Sequence, residues 1–334
     1  MQNTIKEGNL KEMLTVSVAV ITYNMEKYLR PLLDSILKQK VNFTYEVIID
    51  DDCSPDNSRG IIKEYQKKYP NIIKPIFRDK NVGGSKNMFG VLQHCQGKYI
   101  AILEGDDFWE DEEKLQYQVD FLEKHPEYIG MTCNSWCEHG DETTSTDLMR
   151  KRSEPKVFSY NDFMARHFHD RLPTSTDTWV FRNIFKTYPE EDFSLFYKAH
   201  NMIWDQSLIL MLYGKGNVYA DPKVVSHHRS VTKMDGTNYQ SLIIQKNCLY
   251  GDSKMYQEME LYIENILKWD CKPFYLVRGD VWIDAVFRAL KTKDANDKKI
   301  SKAIWKDQKK KGLLFFLLVI KSVNILLRKL KLIK

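Results

Sequence analysis

No stretch of this 334-residue sequence is apolar enough to cross a membrane as a helix. A spanning helix needs about 18 consecutive apolar residues, whereas the longest apolar run, residues 313–320, has eight. The six cysteines are scattered along the chain, and its start lacks the apolar core of a signal peptide. These features are typical of a cytoplasmic protein with reduced thiols.

Acidic residues are absent from the last 27 residues, which carry eight Lys or Arg. The first 307 residues hold 42 basic and 45 acidic side chains, so the body is mildly acidic although the whole chain has a net charge of +5. An acidic body disfavours a broad nucleic-acid surface, and we predict no nucleic-acid partner. Basic and apolar residues interleave over 312–334, which predicts a cationic amphipathic helix on an anionic membrane. Burial against the protein or in a dimer is the alternative, but it leaves the charge unexplained.

Glycine is absent from the turn after the first predicted strand, where dinucleotide and phosphate-loop enzymes carry a glycine-rich motif. The first half of the chain alternates short apolar runs with amphipathic stretches, which predicts a doubly wound, mostly parallel α/β sheet flanked by helices. We divide the chain into a nucleotide-sugar-binding and catalytic domain at 14–235, a helical region at 236–311 and a basic tail at 312–334. The polar stretch 138–156 is predicted to be a mobile loop.

Four predicted strands of this sheet end in polar residues, at 23–24, 51–52, 81–85 and 104–107. Ligands of open parallel sheets bind beside the carboxyl ends of the strands, so we expect these residues to line one site. Any one of them alone could be a polar loop cap. Two of the four are acidic clusters, and carboxylates together with phosphate oxygens are the ligands of a divalent metal that bridges a diphosphate.

Four motifs, in this order, resemble the family-2 glycosyltransferases of bacterial surface-glycan synthesis, which have the GT-A fold. They are VSVAVITYN at 16–24, EVIIDDDCSPD at 46–56, NVGG at 81–84 and YIAILEGDDFW at 99–109. The similarity runs from residue 14 to residue 229, about two thirds of the chain. The resemblance implies that the protein transfers a hexosyl group from a nucleotide-diphosphate sugar, a UDP-sugar in particular, to an acceptor hydroxyl. The transfer would depend on a metal ion and invert the anomeric carbon. The acceptor would be a glycan or a lipid-linked molecule.

The nucleotide-sugar site that the resemblance implies consists of Ile21, Thr22, Tyr23, Asp52, Lys86, Glu104 and Asp106. The first three would frame the pyrimidine base, and Asp52 would accept a hydrogen bond from its imide, which suits an ionised carboxylate. Lys86 would lie near the diphosphate, and the acidic motif would contact ribose and metal. That motif reads EGDD here, where the family more often has DxDD, so Glu104 departs from the pattern.

The resemblance also implies that Asp106, Asp107 and His228 hold the divalent metal, Mn²⁺ or Mg²⁺, and that Asp205 is the catalytic base. An ionised Asp205 would take the proton of the acceptor hydroxyl, while the metal offsets charge on the departing diphosphate. The family often has Glu-Asp at this point, so Trp204 is a departure, and an acid that merely begins a helix is the alternative. Residues 174–179 are predicted to line the acceptor side. Two tryptophans, Trp109 and Trp179, could stack on sugar rings or pack in the core.

Two other functions fit parts of the sequence. A sugar nucleotidyltransferase shares a doubly wound nucleotide fold, but its glycine-rich basic loop after the first strand is absent here. A non-catalytic, membrane-associated scaffold with a transferase-like fold would not need the acids at 52, 106, 107 and 205, which are all present. We therefore predict an enzyme that is peripheral at the inner face of the cell membrane.

Overall fold

The computed structural model describes residues 14–139, 146–149, 152–164, 172–173, 175–230, 248–308, 311–312, 314–316, 318–320 and 323. The chain divides into two compact units. The first takes in Met1–Val157, Ser175–Glu191 and Lys215–Val231, and the second takes in Phe158–Thr174, Asp192–Gly214 and Thr232–Lys334. The boundaries predicted after residues 235 and 311 stay a prediction. The two units do not follow the predicted boundaries, because Phe158–Thr174 and Asp192–Gly214 belong to the same unit as the C-terminal helices.

A ten-stranded sheet is the centre of the first unit. Its strands are β1 (Val16–Thr22), β2 (Tyr45–Asp51), β3 (Ile73–Phe77), β4 (Tyr99–Glu104), β5 (Phe108–Trp109), β6 (Tyr128–His139), β7 (Thr146–Met149), β8 (Lys156–Phe158), β9 (Val180–Arg182) and β10 (Asn217–Ser230). The main path runs β3-β2-β1-β4-β9-β6-β10-β5, with β7 beside β6 and β8 beside β10. Strands β1 to β4 are parallel, as are β6 and β10, whereas β5, β7 and β9 pair antiparallel. The predicted fold class is confirmed.

Helices cover the parallel strands, which is why those strands read as nearly continuous apolar runs. The helices of this unit are α1 (Glu26–Leu37), α2 (Ser58–Lys68), α3 (Gly84–His94), α4 (Lys114–Lys124) and α6 (Ile184–Thr187). One face of α1 packs Leu29, Leu32 and Leu33 into the same core as Val18 and Val20 of β1. The spacing of these leucines therefore fixes which face of α1 lies on the sheet.

The register of the central strands brings their carboxyl ends together. Ile21 of β1 lies opposite Asp50 of β2 on one side and opposite Glu104 of β4 on the other. Thr22 then lies opposite Asp51. The turns that follow these three strands are therefore neighbours at one edge of the sheet.

Part of the polar stretch 138–156 forms a strand. β7 pairs antiparallel with the end of β6, from Ser135 opposite Met149 to Glu138 opposite Thr146. The loop prediction was therefore wrong for residues 146–149, and also for residues 138–139 of β6 and residue 156 of β8. Strand pairing satisfies a backbone whose side chains give no strand pattern. Residues 140–145 and 150–151 of that stretch lie outside the described residues.

The second unit is helical over its described residues. Its helices are α5 (Tyr160–Phe163), α7 (Leu195–Lys198), α8 (Asp205–Tyr213), α9 (Leu249–Tyr262), α10 (Lys272–Thr292) and α11 (Ala295–Lys306), and a π-helical turn, Ile263–Leu267, follows α9. The predicted helical C-terminal extension is thus confirmed. Among the described helices, none combines the length and the apolar character that a membrane-spanning segment requires.

Candidate active site

The residues predicted to frame a base meet where β1 and β2 end. Ile21 and Thr22 are the last two residues of β1, and Tyr23 follows them. Asp52 follows β2, and its backbone N–H donates to the carbonyl oxygen of Thr22 at 3.0 Å. Because Asp52 is only 2% exposed, its carboxylate faces the interior of this edge rather than open solvent.

Both turns contain a non-glycine residue in the left-handed conformation. The φ angles are 59° at Asn24 and 61° at Cys53. The backbone N–H of Asn24 donates to Ser54 Oγ at 3.0 Å, which joins the two turns. Such conformations cost about 1–3 kcal/mol each and often occur at ligand-binding sites.

The Asp52 carboxylate also holds the loop that precedes α3. Its Oδ1 accepts a hydrogen bond from the N–H of Val82 at 2.7 Å, and its Oδ2 accepts one from the N–H of Gly83 at 2.9 Å. Gly83 has a φ of 87°, a conformation that favours glycine. Each carboxylate oxygen has a second lone pair, so Asp52 can hold this loop and still accept from a bound base. The role of Asp52 toward a pyrimidine stays a prediction.

Lys86 lies in the first turn of α3, where its side chain is exposed. The N-terminus of a helix carries a partial positive charge and unpaired N–H groups. Lys86 therefore adds a positive charge to a helix end that already favours anions. This position suits the predicted role beside a diphosphate.

The acidic motif after β4 is crowded and poorly hydrated. Glu104 accepts a hydrogen bond from Thr176 Oγ1 at 2.7 Å. Burial raises the pKa of Glu104 to about 8, and the charges of Asp107 and Asp106 add to this effect. Burial, followed by the charge of Asp107, raises the pKa of Asp106 to about 7. Carboxylates in this arrangement repel one another, and a bound cation would relieve the repulsion.

Asp107 lies against the end of β10, which reaches this point through its antiparallel pairing with β5. Its Oδ1 accepts from the backbone N–H of Arg229 at 2.8 Å, and its Oδ2 lies 3.2 Å from Nδ1 of His228. The negative charge of Asp107 raises the pKa of His228 well above its ordinary value. Burial raises the pKa of Asp107. The structure therefore brings together two of the three predicted metal ligands.

A further carboxylate, Asp177, comes from the short 3₁₀ turn before β9. It is fully buried, and it accepts hydrogen bonds from the hydroxyls of Ser135 at 2.7 Å, Ser175 and Ser226. The sequence places Asp177 in the predicted acceptor segment and does not predict it as a ligand. The one local signal is an acid between two threonines directly before a strand.

The ligand atoms of Asp107, Asp177 and His228 all lie within 4.8 Å of one another. We call these three residues the carboxylate–histidine cluster. Two carboxylates and an imidazole fit a divalent cation such as Mn²⁺, and the carboxylates alone also suit Mg²⁺. Asp106 is outside the cluster, and its backbone carbonyl accepts from Arg229 Nη1 at 3.3 Å. The assignment of Asp106, Asp107 and His228 as metal ligands stays a prediction.

Asp205, the predicted base, belongs to the second unit and is the first residue of α8. Trp204 precedes it, is 4% exposed and stacks on Phe196 with ring centroids 6.3 Å apart. A carboxylate at the start of a helix is stabilised by the helix dipole. The helix-start alternative therefore stays open, and the catalytic role of Asp205 stays a prediction.

Both tryptophans that could stack on a sugar are core residues. Trp109 is 3% exposed and Trp179 is 2% exposed. The indole N–H of Trp109 donates to the backbone carbonyl of Asp177 at 2.9 Å. Trp109 thus supports the backbone of the carboxylate–histidine cluster.

The acidic cluster thus lies at the carboxyl edge of a doubly wound sheet, the edge at which open α/β sheets bind ligands. The model of glycosyl transferase family 2 matches residues 17–189, about half of the chain. The chain therefore belongs to glycosyl transferase family 2. The resemblance found in the four sequence motifs is confirmed.

Curated proteins are similar to parts of this chain. An uncharacterized protein of Mycobacterium tuberculosis is 45% identical over 112 residues, which are 34% of this chain and 32% of that protein. The minor teichoic acid biosynthesis protein GgaB of Bacillus subtilis is 36% identical over 278 residues, which are 78% of this chain and 29% of GgaB. The chain thus matches about a third of the length of these curated relatives.

A solved structure supports the fold. The crystal structure of residues 1–349 of S. aureus TarS in complex with UDP-GlcNAc matches with a TM-score of 0.62 at 18% identity. The match covers 88% of this chain and 80% of the TarS chain. At this level of identity, the likeness concerns the fold.

Proposed function

We propose that the chain is an inverting, divalent-metal-dependent glycosyltransferase that moves a hexosyl group from a UDP-sugar to an acceptor hydroxyl in surface-glycan synthesis. The observation that carries the proposal is the carboxylate–histidine cluster beside the half-buried Glu104 and Asp106. Family membership supports the class of reaction. The UDP-GlcNAc bound to TarS supports a UDP-sugar donor, and the role of GgaB in teichoic acid synthesis supports a cell-wall glycan as acceptor.

Each part of the site has a task in this proposal. The edge formed by Ile21, Thr22, Tyr23 and Asp52 holds the pyrimidine, and Lys86 with the start of α3 holds the diphosphate. Asp107, Asp177 and His228 would hold a divalent cation, which would supply positive charge against the diphosphate. Asp205 takes the proton of the acceptor hydroxyl as its oxygen attacks the anomeric carbon. Attack opposite the leaving diphosphate inverts that carbon.

We also propose that the protein acts beside an anionic membrane, at its cytoplasmic face. Eight basic residues and no acid in the last 27 residues support this location. Each basic residue close to such a surface contributes about 1 kcal/mol of attraction. A lipid-linked acceptor would be available there.

Thermal unfolding in the presence of nucleotide tests the donor site. UDP with Mn²⁺ should raise the melting temperature, since ligand at 100 times its Kd adds about 2.7 kcal/mol to the stability. GDP with Mn²⁺ should not, because in this proposal Ile21, Thr22, Tyr23 and Asp52 frame a single-ring pyrimidine and not a purine. Equal protection by UDP and GDP would contradict the pyrimidine assignment.

The variant Asp107→Asn tests the cation site in the same assay. It keeps the shape of the side chain and removes one negative charge from the carboxylate–histidine cluster. The Mn²⁺-dependent part of the UDP protection should therefore fall. Full metal-dependent protection in Asp107→Asn would show that the cation binds elsewhere.

A further inference from the structure

The described part of the basic tail presents a continuous apolar face to solvent. Its residues are helical, and Phe315, Phe316, Val319, Ile320 and Val323 are each 40–61% exposed. An α-helix turns about 100° per residue, so at this spacing the five positions lie on one side, about 140° wide. We call them the tail face. Contiguous exposed apolar surface of this kind marks an interaction site.

The other side of the same helix is fixed to the second unit. Leu314 is fully buried in a small core with Trp282 of α10 and Ile304 of α11, and Leu318 packs against that core. A Cβ atom at Gly279 of α10 would lie 2.2 Å from a methyl carbon of Leu314, so the tail helix and α10 are in close contact. The tail face therefore points away from this small core and toward solvent.

The charge around the tail face identifies its partner. The last 27 residues carry eight basic side chains and no acid, and one of these basic residues, Lys311, is exposed in the described part. A second copy joined through the same face would bring eight positive charges against eight others, which opposes that pairing. An anionic bilayer offers both an apolar interior for the aromatic rings and negative headgroups for the lysines.

We infer that the tail face inserts into the interfacial layer of an anionic lipid bilayer. This inference rests on the proposed action at a membrane and deepens it by naming the lipid-contacting residues. The adjacent basic residues contact the headgroups, while Leu314 and Leu318 hold the helix on the protein. The tail is therefore part of the folded helical unit and a lipid contact at the same time.

Vesicle sedimentation of the full chain tests the inference. Wild type should bind vesicles of equal phosphatidylglycerol and phosphatidylcholine, and should bind pure phosphatidylcholine weakly. The triple variant Phe315→Gln/Phe316→Gln/Val319→Gln should lower partitioning into the anionic vesicles by about tenfold or more, since partitioning scales with buried apolar area. Leu290→Gln is the matched control, because Leu290 is 67% exposed on α10 and lies outside the tail face. It should bind like wild type.

Melting temperature, oligomeric state and UDP protection are measured on the same samples. Unchanged melting of the triple variant supports the inference, since its three side chains are exposed. Wild-type binding retained by the triple variant would overturn it. The inference would also be overturned if wild type were an oligomer and the triple variant a monomer, because the tail face would then join two copies of the chain. If the wild type binds anionic vesicles but UDP does not protect it against thermal unfolding, that result would contradict the transferase proposal and leave the membrane inference intact.

Discussion

Buried carboxylates lose hydration, and this chain compensates for that loss in different ways at different residues. Asp52 gives its oxygens to the N–H groups of Val82 and Gly83, and Asp177 accepts from three serine hydroxyls. Glu104 and Asp106 lack such a set of donors, and burial raises their pKa values to about 8 and about 7. Glu104 and Asp106 therefore favour a cation nearby, such as one held by Asp107, Asp177 and His228.

Asp205→Asn separates catalysis from donor binding. The amide keeps the size of the side chain but accepts a proton poorly, so turnover should fall by roughly 10²-fold or more. UDP protection should stay close to that of wild type. Turnover is measured as sugar transfer, or as slow hydrolysis of the UDP-sugar.

Asp294→Asn is the control for that variant. Asp294 also lies at a helix start of the second unit, where its side chain caps α11 by accepting from the N–H of Asp297 at 3.0 Å. Asparagine caps a helix about as well as aspartate, so little should change. Near-normal turnover in Asp205→Asn would leave Asp205 as a helix-start acid of the same kind.

Lys114 is fully buried, and its Nζ lies 4.4 Å from the centroid of the Trp109 ring. Burial lowers the pKa of Lys114 from 10.5 to about 8. The unfolded chain therefore binds more protons between these two pH values, and stability rises with pH across that window. Lys114→Met should be more stable than wild type at pH 7 by about 2 kcal/mol, after allowing for the lost ring contact. Urea unfolding should show this advantage shrinking by pH 10, and a constant advantage would contradict the assignment.

The sequence predicts the residues of this site that lie in motifs and misses those that the fold assembles. Asp107 follows β4, His228 lies near the end of β10, and the structure brings them together. Asp177 is different, since its serine partners Ser135 and Ser226 are 42 and 49 residues away along the chain. Hydrogen bonds over such separations leave no local pattern. A buried acid of this kind becomes visible only when the strands are paired.

At the scale of elements, the strands with long apolar runs were predicted correctly from the sequence, whereas the short strands β5 and β7 were not. β1, β2 and β4 are buried runs of six or seven residues, and each ends within one residue of the polar positions predicted at its carboxyl end. β7 is held by its pairing with β6, and β5 has two residues that pair only with β10. The neighbour of β5 is distant in sequence, and β7 is defined by its pairing with β6, so side-chain alternation cannot reveal either strand.

Gly97 shows how closely the segment directly before β4, the strand that leads to the acidic motif, approaches β1. A Cβ atom there would lie 2.5 Å from the backbone nitrogen of Ser17 and 2.8 Å from the backbone oxygen of Tyr99. Backbone atoms of a central sheet cannot move away cheaply, so Gly97→Ala should destabilise the protein by about 2 kcal/mol. Gly312→Ala is the control, because Gly312 is helical and has no atom within 4 Å of its Cβ position. That change should be neutral or should stabilise by up to about 1 kcal/mol. Urea midpoints that are equal for the two variants would contradict this view of Gly97.

At the scale of the whole molecule, charge and apolar surface are distributed unequally. The first 307 residues carry a small negative charge, while the last 27 carry eight positive charges. The sequence offered membrane contact and internal burial as alternatives for the apolar tail residues. The described residues show burial for Leu314 and exposure for the five residues of the tail face. An amphipathic arrangement allows both, because one side packs on the protein while the opposite side is exposed and can contact a membrane.

Two truncations separate the charge of the tail from its packing. A chain that ends at Val323 keeps Leu314 and Leu318 and loses four basic residues, so its net charge falls from +5 to +1. A chain that ends at Lys311 loses one more basic residue, which brings the charge to zero, and it also loses Leu314 from the core.

The two chains should therefore behave differently in thermal unfolding and in vesicle binding. The chain ending at Val323 should melt like wild type, whereas the chain ending at Lys311 should be less stable by about 3 kcal/mol because a buried leucine leaves a cavity. Binding of wild type to anionic vesicles should weaken with salt, since the Debye length falls from about 10 Å at 0.1 M to about 3 Å at 1 M. The chain ending at Val323 should bind more weakly at low salt and respond less to added salt, because fewer charges are left to screen. Wild-type affinity and salt response in that chain would show that the removed basic residues do not contact the headgroups, and that the tail face alone holds the protein on the bilayer.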